Sequence, residues 1–208
     1  SLVLVGKTGM GKSSLGNSLL CHSGPGEKPF KSKKSAGSIT KQCERKRATL
    51  GDGTLLTIVD TPGLFDTSVP NGQTINEIIK CISLSTPGPH AILFVLNLRR
   101  FTEEEIKTVD ILKRLFGTEA MKYIVVVFTG KDELDDVEDD DDIKTIQDFV
   151  KNGPDYLRKF VRECNMRYVG IANKPSSPTH CSDVKDVMTL IYKTMEVNGD
   201  QVYSQEAF

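Results

Sequence analysis

The sequence predicts an α/β fold: a mainly parallel six-stranded sheet with one antiparallel hairpin strand and helices on both faces. Three observations carry this. Short apolar runs of strand length alternate along the chain with stretches whose apolar residues recur at helical spacing. One pair of runs meets across Gly51-Asp52-Gly53, a tight-turn sequence that makes a hairpin. The first run, "SLVLV", feeds directly into the glycine-rich "GKTGMGKS", which opens a helix.

Taken in order, residues 2–5 read as a buried strand and 12–20 as a helix. Residues 41–50 alternate weakly and pair with 54–59 across the hairpin turn. Ile75, Ile78, Ile79 and Ile82 have helical spacing, whereas "AILFVL" at 91–96 is a continuous apolar strand. Thr102 and Glu105 form a capping box, and the helix it opens puts Ile106, Val109, Leu112, Leu115 and Phe116 on one face before Gly117 stops it. A strand at 123–128, helical patterns at 143–150 and 156–164, a strand at 168–172 and a last helix at about 182–195 complete the alternation. Strand–helix alternation of this kind places ligands at the carboxyl ends of the strands.

The 208 residues suit one domain, 1–195, followed by a tail at 196–208 or the start of a further helix. A formal charge of −1 argues against nucleic-acid binding, which calls for a basic excess. Five cysteines, widely spaced and without a CxxC pair, argue against a disulfide framework or zinc site, so reduced thiols in a cytoplasmic protein are expected. The apolar runs are too short to cross a bilayer, so any membrane association is expected through segments outside this chain, on the cytosolic face of an organelle. The acidic run Asp135–Asp142 lacks the glycine and terminal glutamate of a calcium-binding loop and reads as a solvated loop.

Gly6, Lys7, Thr8, Gly9, Met10, Gly11, Lys12 and Ser13 match G-x-x-x-x-G-K-[ST] in the strand–loop–helix setting that motif needs. Its glycines let backbone N–H groups converge on phosphate oxygens, and the helix start adds partial positive charge. Lys12 is placed to reach the terminal phosphates, Ser14 to join the cradle, and Ser13 to bind Mg²⁺. Asp60, closing the run "LLTIVD", supplies the carboxylate a bound Mg²⁺ requires, and Gly63 in the turn Thr61-Pro62-Gly63 is placed to offer its N–H to a γ-phosphate. The two motifs together define a P-loop NTPase of the G-domain type.

The base is read from "TGKDEL" after the strand at 123–128. Guanine recognition here uses N-K-x-D: a carboxylate accepts from the ring N–H groups while a lysine stem packs on the base. Lys131 supplies the lysine, Gly130 stands in the asparagine position, and either Glu133 or Asp132 is the acid. Asn173, in the loop after the last strand, is positioned to close over the base.

With these residues in place, "LVLVGKTGMGKSSLGNSLL", "SAGSITKQC", "IVDTPGLFD" and above all "LSTPGPHAILFVLNLRRFTEEE" resemble the GTPases of immunity-associated proteins, the avrRpt2-induced family. These are relatives of the chloroplast-import Toc receptors and, more distantly, of septins and dynamins. The resemblance extends from Leu2 to the last helix. It implies a GTP- and GDP-binding protein with Mg²⁺ as cofactor. Thr40 is the switch residue it assigns to the metal or γ-phosphate, with Ser35 and Ser38 as weaker choices. Ser32 falls where family members place a serine on the nucleotide, although "CHSGPGEKP" before it is longer than usual.

Leu64 occupies the position where Ras-like enzymes keep a water-orienting glutamine, so a lone chain is expected to hydrolyse GTP slowly. Arg99 and Arg100 lie between a strand end and a helix start. Two GTP-loaded chains pairing as a homodimer across their nucleotide faces would let Arg100 reach the partner's site. The competing reading pairs both arginines with Glu103 or Glu104. His90 reads as a structural histidine rather than a general base.

Overall fold

The computed structural model describes residues 1–22, 30–31, 42–63, 76, 79–81, 84–98, 101–134 and 143–204. Ser32, Ser35, Ser38, Thr40, Leu64, Arg99, Arg100 and the acidic run lie outside the described residues. The sheet is built from β1 (Leu2–Val5), β2 (Glu44–Thr49), β3 (Leu55–Asp60), β4 (Ala91–Asn97), β5 (Ile124–Thr129) and β6 (Tyr168–Ile171). Their spatial order is β2-β3-β1-β4-β5-β6. Only β2 and β3 are antiparallel, with Glu44 opposite Asp60 and Thr49 opposite Leu55. All other neighbours run parallel.

Burial explains why each strand has its composition. β1, β4 and β5 lie in the interior of the sheet with helices on both faces, so continuous Val, Ile, Leu and Phe runs suit them. β2 is an edge strand in which only Ala48 is fully buried. Its Glu44, Arg45, Lys46 and Arg47 blunt the open edge against pairing with other chains. At the hairpin, Leu50 N–H donates to Thr54 O (2.8 Å), Thr54 N–H donates to the Asp52 carboxylate (2.8 Å), and Gly53 takes φ +86°. That backbone angle favours glycine.

The helices are α1 (Lys12–His22), α2 (Glu103–Phe116), α3 (Ile146–Asn152), α4 (Asp155–Glu163) and α5 (His180–Val197). α1 and α5 cover one sheet face through Leu15, Leu19, Val184, Val187 and Ile191. α2, α3 and α4 cover the other through Val109, Leu112, Phe149 and Phe160. Burying each of these side chains contributes roughly 1.5–3 kcal/mol before entropy is counted. The capping box forms as expected: Thr102 N–H donates to Glu105 (2.9 Å), and Gly117 ends α2 at φ +70°.

Two sequence expectations need correction. The helix expected from Ile143 starts at Ile146, because Thr145 caps it: Asp148 N–H donates to Thr145 Oγ1 (3.1 Å) while Thr145 N–H donates to the Asp148 carboxylate (3.0 Å). After α5 the chain packs back onto the domain, and Tyr203 is 4% exposed. Its hydroxyl donates to Phe116 O (2.7 Å) and its N–H to Pro89 O (2.9 Å). The cysteines are not all separate thiols. Cys43 and Cys81 form a disulfide with Cα atoms 5.6 Å apart. Their separation of 38 residues left no local spacing signal, because the fold alone brings them together.

Candidate functional site

β1 lies where the strand order reverses, between β3 and β4, and the loop it feeds crosses the carboxyl edge of the sheet. This is the crevice at which open α/β sheets bind ligands. The loop, residues 6–11, is held there by contacts that tolerate no side chain. A Cβ on Gly6 would collide with Val95 O, and one on Gly63 with Thr8. At Gly11, φ is +88° and a Cβ would sit 2.7 Å from Asn173 Nδ2. The glycines thus let the loop pack on β4, on the Thr61–Gly63 turn and on the loop after β6.

Lys12 is 6% exposed and donates to Gly6 O (3.1 Å) and Lys7 O (3.0 Å), which curls the loop around its ammonium. Ser13 Oγ donates to Asp60 Oδ2 at 2.5 Å, and Asp60 is 1% exposed. A hydroxyl and a buried carboxylate in contact at a helix start form the oxygen-only donor set that suits Mg²⁺. Thr61 is fixed beside them by donating to Leu4 O (2.7 Å). Thr8 Oγ1 is a buried hydroxyl with no hydrogen-bond partner among the described residues. An orphaned polar atom in a ring of inward-facing glycines fits a polar ligand in the loop. Lys7 pairs with Glu104 and lies 3.7 Å from Glu105, joining the loop to the start of α2. Met10 and Gly9 lie on the same loop, and Ser14 is the third residue of α1.

At the other end of the crevice, Thr129 closes β5 and donates to Met10 O (2.8 Å), stitching the two loops together. Gly130 follows at φ +82°, in the position where the motif usually has asparagine. Lys131 Nζ donates to Asp183 Oδ1 at 2.5 Å. Asp183 is fully buried, and its other oxygen accepts from Ala172 N (2.9 Å) and Thr179 Oγ1 (3.1 Å). Asp183 therefore sets both the Lys131 stem and the loop after β6. Nothing in the sequence singled it out beyond an acid near the start of a helix. Asp132 Oδ2 pairs with Lys174 at 2.6 Å, whereas the Glu133 carboxyl lies under Gly130. Asn173 Nδ2 donates to Gly11 O (3.3 Å), leaving its buried Oδ1 without a partner among the described residues. A cleft of about 380 Å³ adjoins Lys131 on its far side, bounded by Leu134, Tyr168 and Gly170.

Asn17 is a further residue the sequence did not reveal. Its amide donates to Phe30 O (2.9 Å) and accepts from Phe30 N (2.7 Å), anchoring the chain two residues before Ser32. His90 precedes β4 at the amino edge of the sheet. Seven residues of strand separate it from the loops above, about 20 Å, which removes it from any chemistry there.

A glycine-rich loop with a buried lysine, a serine–aspartate pair and a Lys-Asp-Glu turn after β5, at the switch point of such a sheet, define a P-loop protein of the G-domain class. The AIG1 family model matches residues 1–208, and the chain belongs to that family. It is 40% identical over 209 residues to immune-associated nucleotide-binding protein 10 of Arabidopsis thaliana, covering 99% of this chain and 43% of that protein. It is 38% identical to immune-associated nucleotide-binding protein 9 of the same plant, covering 100% of this chain and 58% of that one. The chain thus spans about half the length of these relatives. Among solved structures, Toc33 of Arabidopsis thaliana in complex with GDP and Mg²⁺ superposes with a TM-score of 0.69 at 21% identity, over 93% of this chain and 82% of that one. A second Toc structure, with the same TM-score and identity, covers 93% of this chain and 81% of that one. It is described by the statement that dimerisation is important for the GTPase activity of the chloroplast translocon components Toc33 and Toc159. The T. maritima FeoB G domain gives 0.52 at 13% identity, over 93% of this chain and 96% of that one. These likenesses show the fold.

Proposed function

We propose that this chain is a Mg²⁺-dependent GTPase that binds GTP and GDP in the crevice between residues 6–13 and 131–133. The observation that carries it is the juxtaposition, at one edge of the sheet, of the glycine loop with its buried Lys12 and the Lys131–Glu133 loop, joined by Thr129 to Met10 O and Asn173 to Gly11 O. Lys12 exchanges its carbonyl partners for oxygens of the terminal phosphates, and the loop N–H groups close around the rest. Ser13 and Asp60 would hold Mg²⁺, with Thr40 as the third oxygen donor; a bound ion would supply neutralisation of the phosphate charge. At the base, Lys131 packs its stem on guanine while Asp183 restrains its ammonium. Glu133, whose carboxyl lies under Gly130, accepts from the ring. Asn173 covers the open side. Loss of guanine preference in Glu133→Gln, and its retention in Asp132→Asn, is the expected pattern; the reverse moves the role to Asp132.

Hydrolysis by a lone chain is slow because Leu64 offers no hydrogen bond to water. Pairing of two chains across the nucleotide face brings Arg100 to the partner's phosphates, an effect worth roughly 10³–10⁵ in rate where an arginine acts this way. Support comes from the Toc structure described by the importance of dimerisation for GTPase activity. The pairing of Glu104 with Lys7 also leaves that acid engaged elsewhere. GTP turnover per chain is expected to rise with protein concentration in wild type and stay flat in Arg100→Ala; a flat wild-type profile overturns the pairing. Among the described residues no helix is long and apolar enough to cross a membrane. Any anchoring to the cytosolic face of an organelle is assigned, in this proposal, to segments outside this chain.

A further inference from the structure

The Cys43–Cys81 pair lies at the nucleotide edge of the sheet. Cys43 immediately precedes β2, and Glu44 is in register with Asp60, the carboxylate beside Ser13. Cys43 is therefore one residue beyond the level of the candidate metal site. Among the described residues β2 is bonded to the sheet only through β3, so its amino end is held from one side. Cys81 is fully buried in a helical segment packed into the core formed with α2 and α4. Arg45 Nη1 reaches Leu84 O at 3.5 Å, so strand and segment are also adjacent away from the sulfurs. The bond thus attaches a one-sided edge strand, at its nucleotide end, to the packed interior.

We infer that Cys43 and Cys81 are a reversible redox site whose co-substrates are low-molecular-weight disulfides and thiols, and that its closure slows nucleotide release. The inference rests on the proposed nucleotide site only for its last clause. The Cys81 sulfur has no exposure, whereas Cys43 is part-buried, which orders the chemistry. The Cys43 thiolate attacks one sulfur of a small disulfide RSSR, forming a mixed disulfide and releasing RS⁻. The Cys81 thiolate then attacks the Cys43 sulfur, forming the internal bond and releasing the second RS⁻. Two protons leave the cysteines and both RS⁻ groups take one up, so one RSSR is reduced to two RSH. Excess small thiol runs the same steps backwards. The Cα separation of 5.6 Å lies within the range a disulfide spans, so neither direction requires the backbone to be rebuilt. The remaining cysteines provide internal controls. Cys21 and Cys181 are exposed, and burial pushes the Cys164 thiol up to about 12, which keeps it unreactive.

The test uses the whole chain equilibrated with oxidised glutathione or with dithiothreitol, then alkylated under native conditions and mapped by mass spectrometry. Cys43 and Cys81 should be recovered as one linked peptide after oxidation and as separate thiols after reduction. Free Cys43 and Cys81 in the oxidised sample, with Cys21 and Cys181 taking up glutathione instead, overturns the site. Amide hydrogen exchange in β2, which needs no nucleotide, should be at least threefold slower in the oxidised protein; equal rates overturn the restraint. Release of a fluorescent GDP analogue should slow at least threefold on oxidation, and Cys43→Ser should abolish the difference while Cys21→Ser keeps it. Equal release from both redox forms overturns the coupling. Failure of the analogue to bind in either form counts against the nucleotide site, while the mapping and exchange still decide the redox site.

Discussion

The two ends of the crevice are built in different ways. The phosphate end is made of backbone: glycines at 6, 11 and 63 allow approaches that any Cβ would block, and one buried lysine curls the loop around itself. The base end is made of side chains held by other side chains: Lys131 by Asp183, Asp132 by Lys174, and Thr129 and Asn173 against the phosphate loop. Backbone construction demands particular residue types at fixed spacing, whereas a side-chain network can be assembled from many sequences. The first end should therefore fail outright when altered, and the second should fail by degrees.

The largest effect is expected from Lys12→Ala. In the proposed site the Lys12 ammonium faces phosphates, where a hydrogen bond between charged groups contributes roughly 1.5–3 kcal/mol, so GDP affinity should fall by about one to two orders of magnitude in a fluorescence titration while circular dichroism is unchanged. A loss under threefold would break the contrast between the two ends. Asp183→Asn comes next. It leaves the shape of a fully buried acceptor but removes the charge opposite Lys131. About a tenfold loss of GDP affinity is expected. The melting temperature should also fall by several degrees, since about 1–3 kcal/mol moves a chain of this size by roughly 2–4 °C per kcal/mol. Glu104→Gln should do least. The Lys7 hydrogen bond and charge hold the Glu104 carboxyl below its usual range. A group with a depressed folded-state pKa stabilises above its unfolded value and loses that contribution as pH falls through the folded one. Wild type and Glu104→Gln should therefore differ slightly at pH 7, by no more than about 2 °C, and converge as the pH drops below the glutamate range.

The same contrast explains what was legible in the sequence. The alternation of "LVLV", "AILFVL" and "YIVVVF" with capped helices is dictated by burial on both sheet faces, so fold class and strand positions could be read directly. Residues 6–13 and Asp60 stood out in the sequence because such a motif constrains neighbouring positions, and the fold brings Ser13 onto Asp60. Asp183, Asn17 and the Lys174–Asp132 pair did not, because each acts on a partner that only the fold brings near. Nor was the role of Tyr203 legible: its hydroxyl and ring find Phe116 only after α5 has folded back. The Cys43–Cys81 pair likewise follows from the approach of β2 to the helical segment, not from spacing.

The most direct test of the two-ended crevice is displacement of bound fluorescent GDP by unlabelled GDP and by ADP, in the presence of Mg²⁺. The two competitors share the diphosphate and differ at the purine. GDP should compete at a concentration at least a hundredfold lower, about 2.7 kcal/mol of discrimination supplied by the base loop. Displacement by both at similar concentrations would leave a phosphate cradle without a guanine reader, and would contradict the function proposed for this chain.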